Sequence, residues 1–191
     1  MPRKPDPTLK PAIVAKVADH LRDTKLEDVS VRSLGRVLGT SAYPIVYHFG
    51  SREALIQAVV EHLHRSLDGV TLRPDADDGR LRAWFVTVFG GLDDPERALA
   101  VRLSFELGSV EELDGRVRER TAQREHLEAV AAWCRAHGTD AFEAERAARA
   151  AVYAARGAQW AAIVDPGRTE VDQVLQGIAD DLVASVELAT V

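Results

Sequence analysis

The chain has 191 residues, 46% of them hydrophobic and 28% charged, with a formal net charge of −6. That is ample for a packed interior, and no apolar run approaches the roughly 20 residues that cross a bilayer, so neither a disordered nor a membrane-spanning chain is expected. Cys134 stands alone, which leaves no intramolecular disulfide framework and fits a reducing, cytoplasmic setting. The charge is unevenly spread: residues 1–65 carry 10 Lys and Arg against 7 Asp and Glu, whereas residues 66–191 carry 14 against 23. A polyanionic partner is therefore expected at the N-terminal third. The opening segment MPRKPDPTLKP has no apolar signal stretch; its Arg3 and Lys4 can either meet phosphates or belong to a solubilising tail.

The first predicted helix, Ile13 to Thr24, sets Ile13, Val17 and Leu21 on one stripe. The stretch that follows, VSVRSLGRVLGTSAYPIVYHFGSREAL, is the most informative in the chain. Ser30 is an N-cap, and Val31, Leu34 and Leu38 make one face of a short helix over Val31 to Leu38. Gly35 inside it marks a close backbone approach, and Gly39 after it supplies a left-handed stop. Thr40 or Ser41 then caps a helix over Ala42 to Phe49, in which Pro44 is tolerated because it falls in the first turn. Ile45 and Val46 are expected to face the preceding helix, leaving Ala42, Tyr43, Pro44 and Tyr47 outward. Gly50 stops this helix, Ser51 caps the next, and Leu55, Ile56, Val59, Val60 and Leu63 make the apolar face of a helix over Arg52 to Leu67. Two short helices joined by a glycine turn and mounted on a longer one form a DNA-reading helix-turn-helix.

The spacing of Ser30, Val31, Arg32, Leu34, Gly39, Ser41, Ile45, His48, Phe49 and Ser51 before Arg52 resembles the N-terminal domain of the TetR family of transcriptional repressors. The resemblance covers about a quarter of the chain. It departs from the family pattern at Val46, which stands where an aromatic usually does, with Tyr47 next, and at Gly35, which replaces a usual alanine. What it implies is an all-α fold of about nine helices: an N-terminal three-helix DNA-binding domain over residues 1–50, and a C-terminal helical bundle over 51–191 for effector binding and dimerisation, connected by the helix 51–68. Arg32 would reach a guanine edge or a phosphate, and Ala42, Tyr43 and Pro44 would face base edges. Tyr47 and His48 would follow the phosphate backbone, and Arg52 would grip a phosphate; Ser30 and Ser41 cap the two motif helices at the same surface. The plain alternatives are that Tyr47 or His48 fills the gap between helices and that Arg32 is a solvated charge.

Beyond the motif the chain reads as helices over Gly79 to Leu92, Pro95 to Leu107, Glu111 to His137, Ala141 to Val164 and Glu170 to Ala189, after a proline-bearing acidic break at Val70 to Asp78. Large aromatics gather here. Trp84, Phe89, Phe105, Trp133, Tyr153 and Trp160 can line a cavity for a small apolar or aromatic effector, with Arg102, Glu106, His126 and Gln159 as polar anchors, although aromatics at helical spacing are commonly core. The last two helices pair small residues with an apolar stripe. Ala151, Ala155, Ala158, Val171, Val174, Leu175, Ile178 and Leu182 are expected at a homodimer interface, or else in an internal hairpin.

Catalytic signatures are lacking. His62 and His64, two residues apart, point to different sides of a helix, and there is no glycine-rich phosphate loop, cysteine pair or nucleophile elbow, so no enzyme, cofactor or metal is expected. Cys134, between Trp133 and Arg135 on a helical pattern, reads as a buried inert thiol rather than a redox sensor. The sequence thus points to a ligand-responsive, sequence-specific DNA-binding repressor acting as a dimer on a palindromic operator. The competing reading is a helical small-molecule carrier or protein-interaction module that has lost DNA readout.

Overall fold

A computed structural model describes residues 8–39, 41, 43–67, 69–167 and 169–189. Those residues form nine α-helices and no strand. They are α1 (Leu9–Leu21), α2 (Val31–Val37), α3 (Tyr43–Phe49), α4 (Arg52–Leu63), α5 (Asp78–Phe89), α6 (Pro95–Gly108), α7 (Arg118–Ala136), α8 (Ala141–Val164) and α9 (Val171–Ala189), with short 3-10 turns at Leu26–Asp28 and His64–Leu67. No described helix is long and apolar enough to cross a membrane. The chain divides into two compact units, residues 1–66 and 67–191.

In the first unit α4 packs on α1 and α3, and α2 packs on α1 and α3. Val17, Leu21, Leu34, Ile45, Leu55, Val59 and Val60 are wholly buried together, and at roughly 1.5–3 kcal/mol per fully buried aliphatic side chain this small core is what mounts the short helices. A seven-residue helix such as α2 or α3 is not stable alone, so its existence depends on that packing and on its caps. Ser30 accepts from the Ser33 backbone N–H at 3.0 Å while Ser33 accepts from Ser30 N–H at 2.8 Å, a reciprocal capping box. Gly39 has φ +67°, the left-handed stop that the sequence demanded. The sequence reading placed α4 with the C-terminal bundle. Its apolar face is covered by α1 and α3 instead, and the division between units falls after Ser66, not at Gly50.

In the second unit α8 packs on α7 and α9, and α5 on α9 and α8, around a core that includes Trp84, Phe85, Phe89, Trp133, Val152 and Leu175; α6 lies against α7 and α8. Helix α7 begins at Arg118, seven residues later than its apolar pattern suggests. Residues 111–115 form a turn, Gly115 adopts φ +67°, and the buried Glu111 carboxylate accepts from the backbone N–H groups of Glu119 (2.7 Å) and Arg120 (3.1 Å). Val117, at the N-cap position, offers no side-chain acceptor, so Glu111 satisfies the first turn from outside and places its negative charge at the positive end of the helix. At the far end of α5, Gly90 is held so closely that a Cβ would come within 2.2 Å of Asp172 Oδ1, which itself accepts from Gly91 N–H at 2.9 Å.

Candidate nucleic-acid interface

Helix α3 presents one buried residue, Ile45, to the first unit's core and turns its remaining face out. Tyr43 is 69% exposed and Tyr47 61%. They lie one helical turn apart, with rings stacked at 5.7 Å between centroids and 22° between planes, and His48 meets Tyr47 edge-on at 5.0 Å. Two phenols thus stand on the outer side of α3 with no apolar cover of their own, flanked by the imidazole. Leaving so much aromatic surface in water gives up the burial free energy that such rings normally supply. Pro44 and His48 are half-buried at its edges, and Ser41 accepts from Tyr43 N–H at 3.3 Å. Arg32 on α2 is exposed, while Ser30 is committed to its capping box. Ala42 and Thr40 lie outside the described residues.

Two expectations change here. Val46 does not face α2; it is 52% exposed and joins the outward side of α3. On a seven-residue helix the inward arc is filled by Ile45 and, one turn later, the half-buried Phe49, over which Lys10 of α1 lies. Arg52, expected free at the surface, is engaged within its own unit. Its Nε donates to Val29 O at 2.6 Å and an Nη donates to Leu26 O, with the other Nη beside Glu53, and the side chain keeps only 24% of its exposure. The guanidinium fork ties the start of α4 to both ends of the 3-10 turn that leads into α2, so Arg52 holds that turn against α4. The signal for this was a planar bidentate donor beside a cap, which suits two carbonyls as well as a phosphate. Glu53, next to it, is held below the usual carboxylate range by a backbone N–H in the first turn of α4, opposed by slight desolvation and helped by Arg52 and Ser51.

The second unit sorts its candidates differently. Trp84, Phe89 and Trp133 are buried in its core, and Trp133 Nε1 donates to Ala76 O at 2.8 Å. Gln159 is wholly buried and donates to Phe89 O at 2.9 Å. His126 meets both Trp84 and Phe89 edge-on at 5.9 and 5.1 Å. Arg102 pairs with Glu106 at 3.3 Å on α6, and Phe105 meets Trp160 edge-on at 5.4 Å. Tyr153 stands apart on the outer side of α8, 53% exposed. A residue that the sequence reading missed lies in the middle: the half-buried Arg156, whose guanidinium sits 5.4 Å from the Phe89 ring centre and donates to Gln159 Oε1 at 3.1 Å. Its signal was its position on α8, one turn after Val152 on the flank of the buried stripe. Burial pulls its pKa down, while Glu119 opposes the shift and Arg118 adds to it.

The expected dimer residues are mostly covered within the chain. Ala151, Ala155, Ala158, Val171, Leu175 and Leu182 are buried by the unit's own helices; Ile178 is half-buried and Val174 exposed. Helical period identified the apolar faces of α8 and α9, and the two helices turn them inward. Cys134 is buried and its thiol is pushed up to about 11 by desolvation, which keeps it protonated and unreactive near neutral pH.

With this geometry fixed, the comparison with solved structures is decisive for the architecture. A transcriptional regulator from Rhodococcus sp. Rha1 superposes with TM-score 0.73 at 19% identity, over 96% of this chain and 98% of its own. A TetR-family regulator from Mesorhizobium loti gives TM-score 0.63 at 17% identity, over 92% and 95%. The fold is that of TetR-family regulators. BioQ, solved with its natural double-stranded DNA operator, shares this TetR fold with TM-score 0.58 at 23% identity, over 92% of this chain and 98% of its own. No family sequence model matches the chain, and no curated protein sequence does.

Proposed function

We propose that this protein is a ligand-responsive transcriptional regulator that binds duplex DNA through α3 and works as a homodimer in the cytoplasm. The observation that carries the proposal is the uncovered aromatic face of α3, Tyr43 stacked on Tyr47 with Val46 beside them, on a unit of positive charge balance within an acidic protein. In this reading Tyr43 and Pro44 meet base edges in a major groove, while Tyr47, His48 and Arg32 follow the backbone. A helix this short grips few base pairs, so two copies on a palindromic site, with recognition helices about 34–36 Å apart, supply the affinity. The outward residues of α8 and α9, among them Ala150, Ala154, Val174 and Ile178, are the surface offered to the second copy. The second unit binds an effector whose differential affinity for the two dimer geometries lowers operator affinity, typically by about 1–3 kcal/mol of coupling, which makes the protein a repressor released by its ligand. The fold shared with regulators, one of them solved on its operator, supports this reading and lends none to catalysis.

Selection of bound duplexes from a random pool tests it. The expected product is a palindromic site whose affinity falls steeply with salt and whose preferred bases change in Tyr43→Ala. Recovery of no enriched duplex, or binding insensitive to salt, would favour the carrier reading.

A further inference from the structure

We propose that the second unit takes an organic anion, a carboxylate carried on an apolar or aromatic body, and that Arg156 is its anion-pairing residue. The inference rests on the regulator reading above and names the chemical class of the effector.

Four other partly buried arginines of the bundle are committed to the fold. Arg97 is drawn out of water, but it closes the end of α5 by donating to Thr87 O (2.8 Å), Val88 O (3.2 Å) and Gly90 O (3.1 Å). Arg102 has Glu106, Arg116 has Asp114 and Leu107 O, and Arg118 has Glu119. Each of these charges is accounted for by the fold. Arg156 is not: its guanidinium has a side-chain amide oxygen and a ring face, and among the described residues no carboxylate stands within ion-pair distance of it. The one acidic group that acts on it, Glu119 of α7, is already paired with Arg118 of that helix.

A half-buried guanidinium that feels Glu119 only from beyond ion-pair distance is poorly compensated, and a neutral side chain could satisfy Gln159 as well. Compensation comes when a carboxylate enters. Planar fork-on-carboxylate pairing is the geometry that arginine provides best, and it is strengthened by a poorly solvated setting. The surroundings define the rest of the ligand. Phe89, Trp84 and His126 pack ring to ring on one side of Arg156, and one turn further along α8 Trp160 meets Phe105. Phe89 and Trp84 close the inner side as packed core, and the half-buried Phe105 with the 53% exposed Trp160 makes a second, accessible wall for an apolar or aromatic body. The four-residue step from Arg156 to Trp160 puts the charge and the second wall on the same side of one helix.

The test is calorimetric titration of the full chain, without DNA, at pH 7 and 150 mM salt. The probes are octanoate, 4-phenylbutyrate and indole-3-acetate, each against its primary amide. At least one carboxylate is expected to bind at submillimolar Kd and at least tenfold more tightly than its amide. Arg156→Gln is expected to reduce that preference below twofold, leave the amide's affinity unchanged, and keep or raise the unfolding temperature of the unliganded protein, since it removes a poorly compensated charge. Binding of no carboxylate, equal binding of acid and amide in the wild type, preference retained in Arg156→Gln, or an unfolding temperature lowered by more than about 5 °C in that variant would each overturn the proposal, the last by showing that the Phe89 and Gln159 contacts make Arg156 a structural element. Because DNA is absent, a failed regulator reading leaves these results intact, and failure here leaves operator selection untouched.

Discussion

Replacement of Arg52 separates a positioning role from a phosphate-binding one. In Arg52→Ala the carbonyls of Leu26 and Val29 lose two donors belonging to a charged group, bonds worth roughly 1.5–3 kcal/mol each before the freed carbonyls rehydrate. A net loss of about 2–4 kcal/mol is expected, and it falls locally, on the turn and α2 that the fork holds against α4. At about 1.4 kcal/mol per tenfold, amides from Leu26 through Phe49 should exchange with deuterium about 30-fold faster or more, while α7 and α8 keep wild-type rates. Arg52→Lys should behave almost as badly, because one ammonium cannot span two carbonyls in fixed geometry. Hydrogen exchange read by mass spectrometry, alongside DNA binding over a salt series, decides it. Wild-type exchange in Arg52→Ala, combined with a log K against log salt slope flattened by about one unit and restored by lysine, would refute the positioning role and return Arg52 to the phosphate.

Three further outcomes follow from the geometry. Tyr43→Ala and Tyr47→Ala remove exposed rings, so unfolding free energies should stay within about 0.5 kcal/mol of wild type while DNA affinity or sequence preference changes; a large stability loss in either would mean the rings are covered. Glu111→Ala strips two charge-assisted bonds from the first turn of α7 and should cost about 1–2 kcal/mol, seen as faster exchange confined to the residues around Glu119 and Arg120, with no such change if water replaces the carboxylate. Cys134 titrates at about 11 when folded against an ordinary value near 9, so above pH 9 the unfolded chain releases its proton first and stability falls as pH rises from about 9 to about 11. Cys134→Ala should flatten that part of a urea-denaturation pH series, and the native thiol should resist iodoacetamide at pH 8 until the chain is unfolded; an unchanged pH slope would show that the thiol is not desolvated.

Much of the fold was legible because its signals are local. Ser30, Gly39 and Ser51 announce their caps and stops within four residues, and the apolar stripes of α1, α4 and α8 repeat long enough to fix their type and face. The same reasoning brought Tyr43 out to solvent, since it has no apolar partner in register, whereas Tyr47 could have filled the gap between helices and is found exposed as well. What period cannot tell is which surface covers a face. Leu175 and Ala155 lie on true apolar stripes, yet their own unit's helices bury them, and a stripe made for a second copy would have looked alike. Nor does it distinguish a cap supplied from outside a helix: Glu111 extends the helical pattern of α7 in sequence while folding back to close its first turn. Arg52 and Arg156 show a third limit. A guanidinium has several partners of equal chemical merit, and only position in space shows that the first has found carbonyls and the second a ring and an amide.

The most direct measurement of the central claim is photo-cross-linking of the full chain to its selected duplex, substituted with 5-iodouracil at each thymine in turn and mapped by mass spectrometry. The expected adducts fall on Tyr43, Tyr47 and His48, from bases in two half-sites one helical turn apart. Adducts confined to the second unit, or none from any position in a duplex that binds, would contradict α3 as the reader.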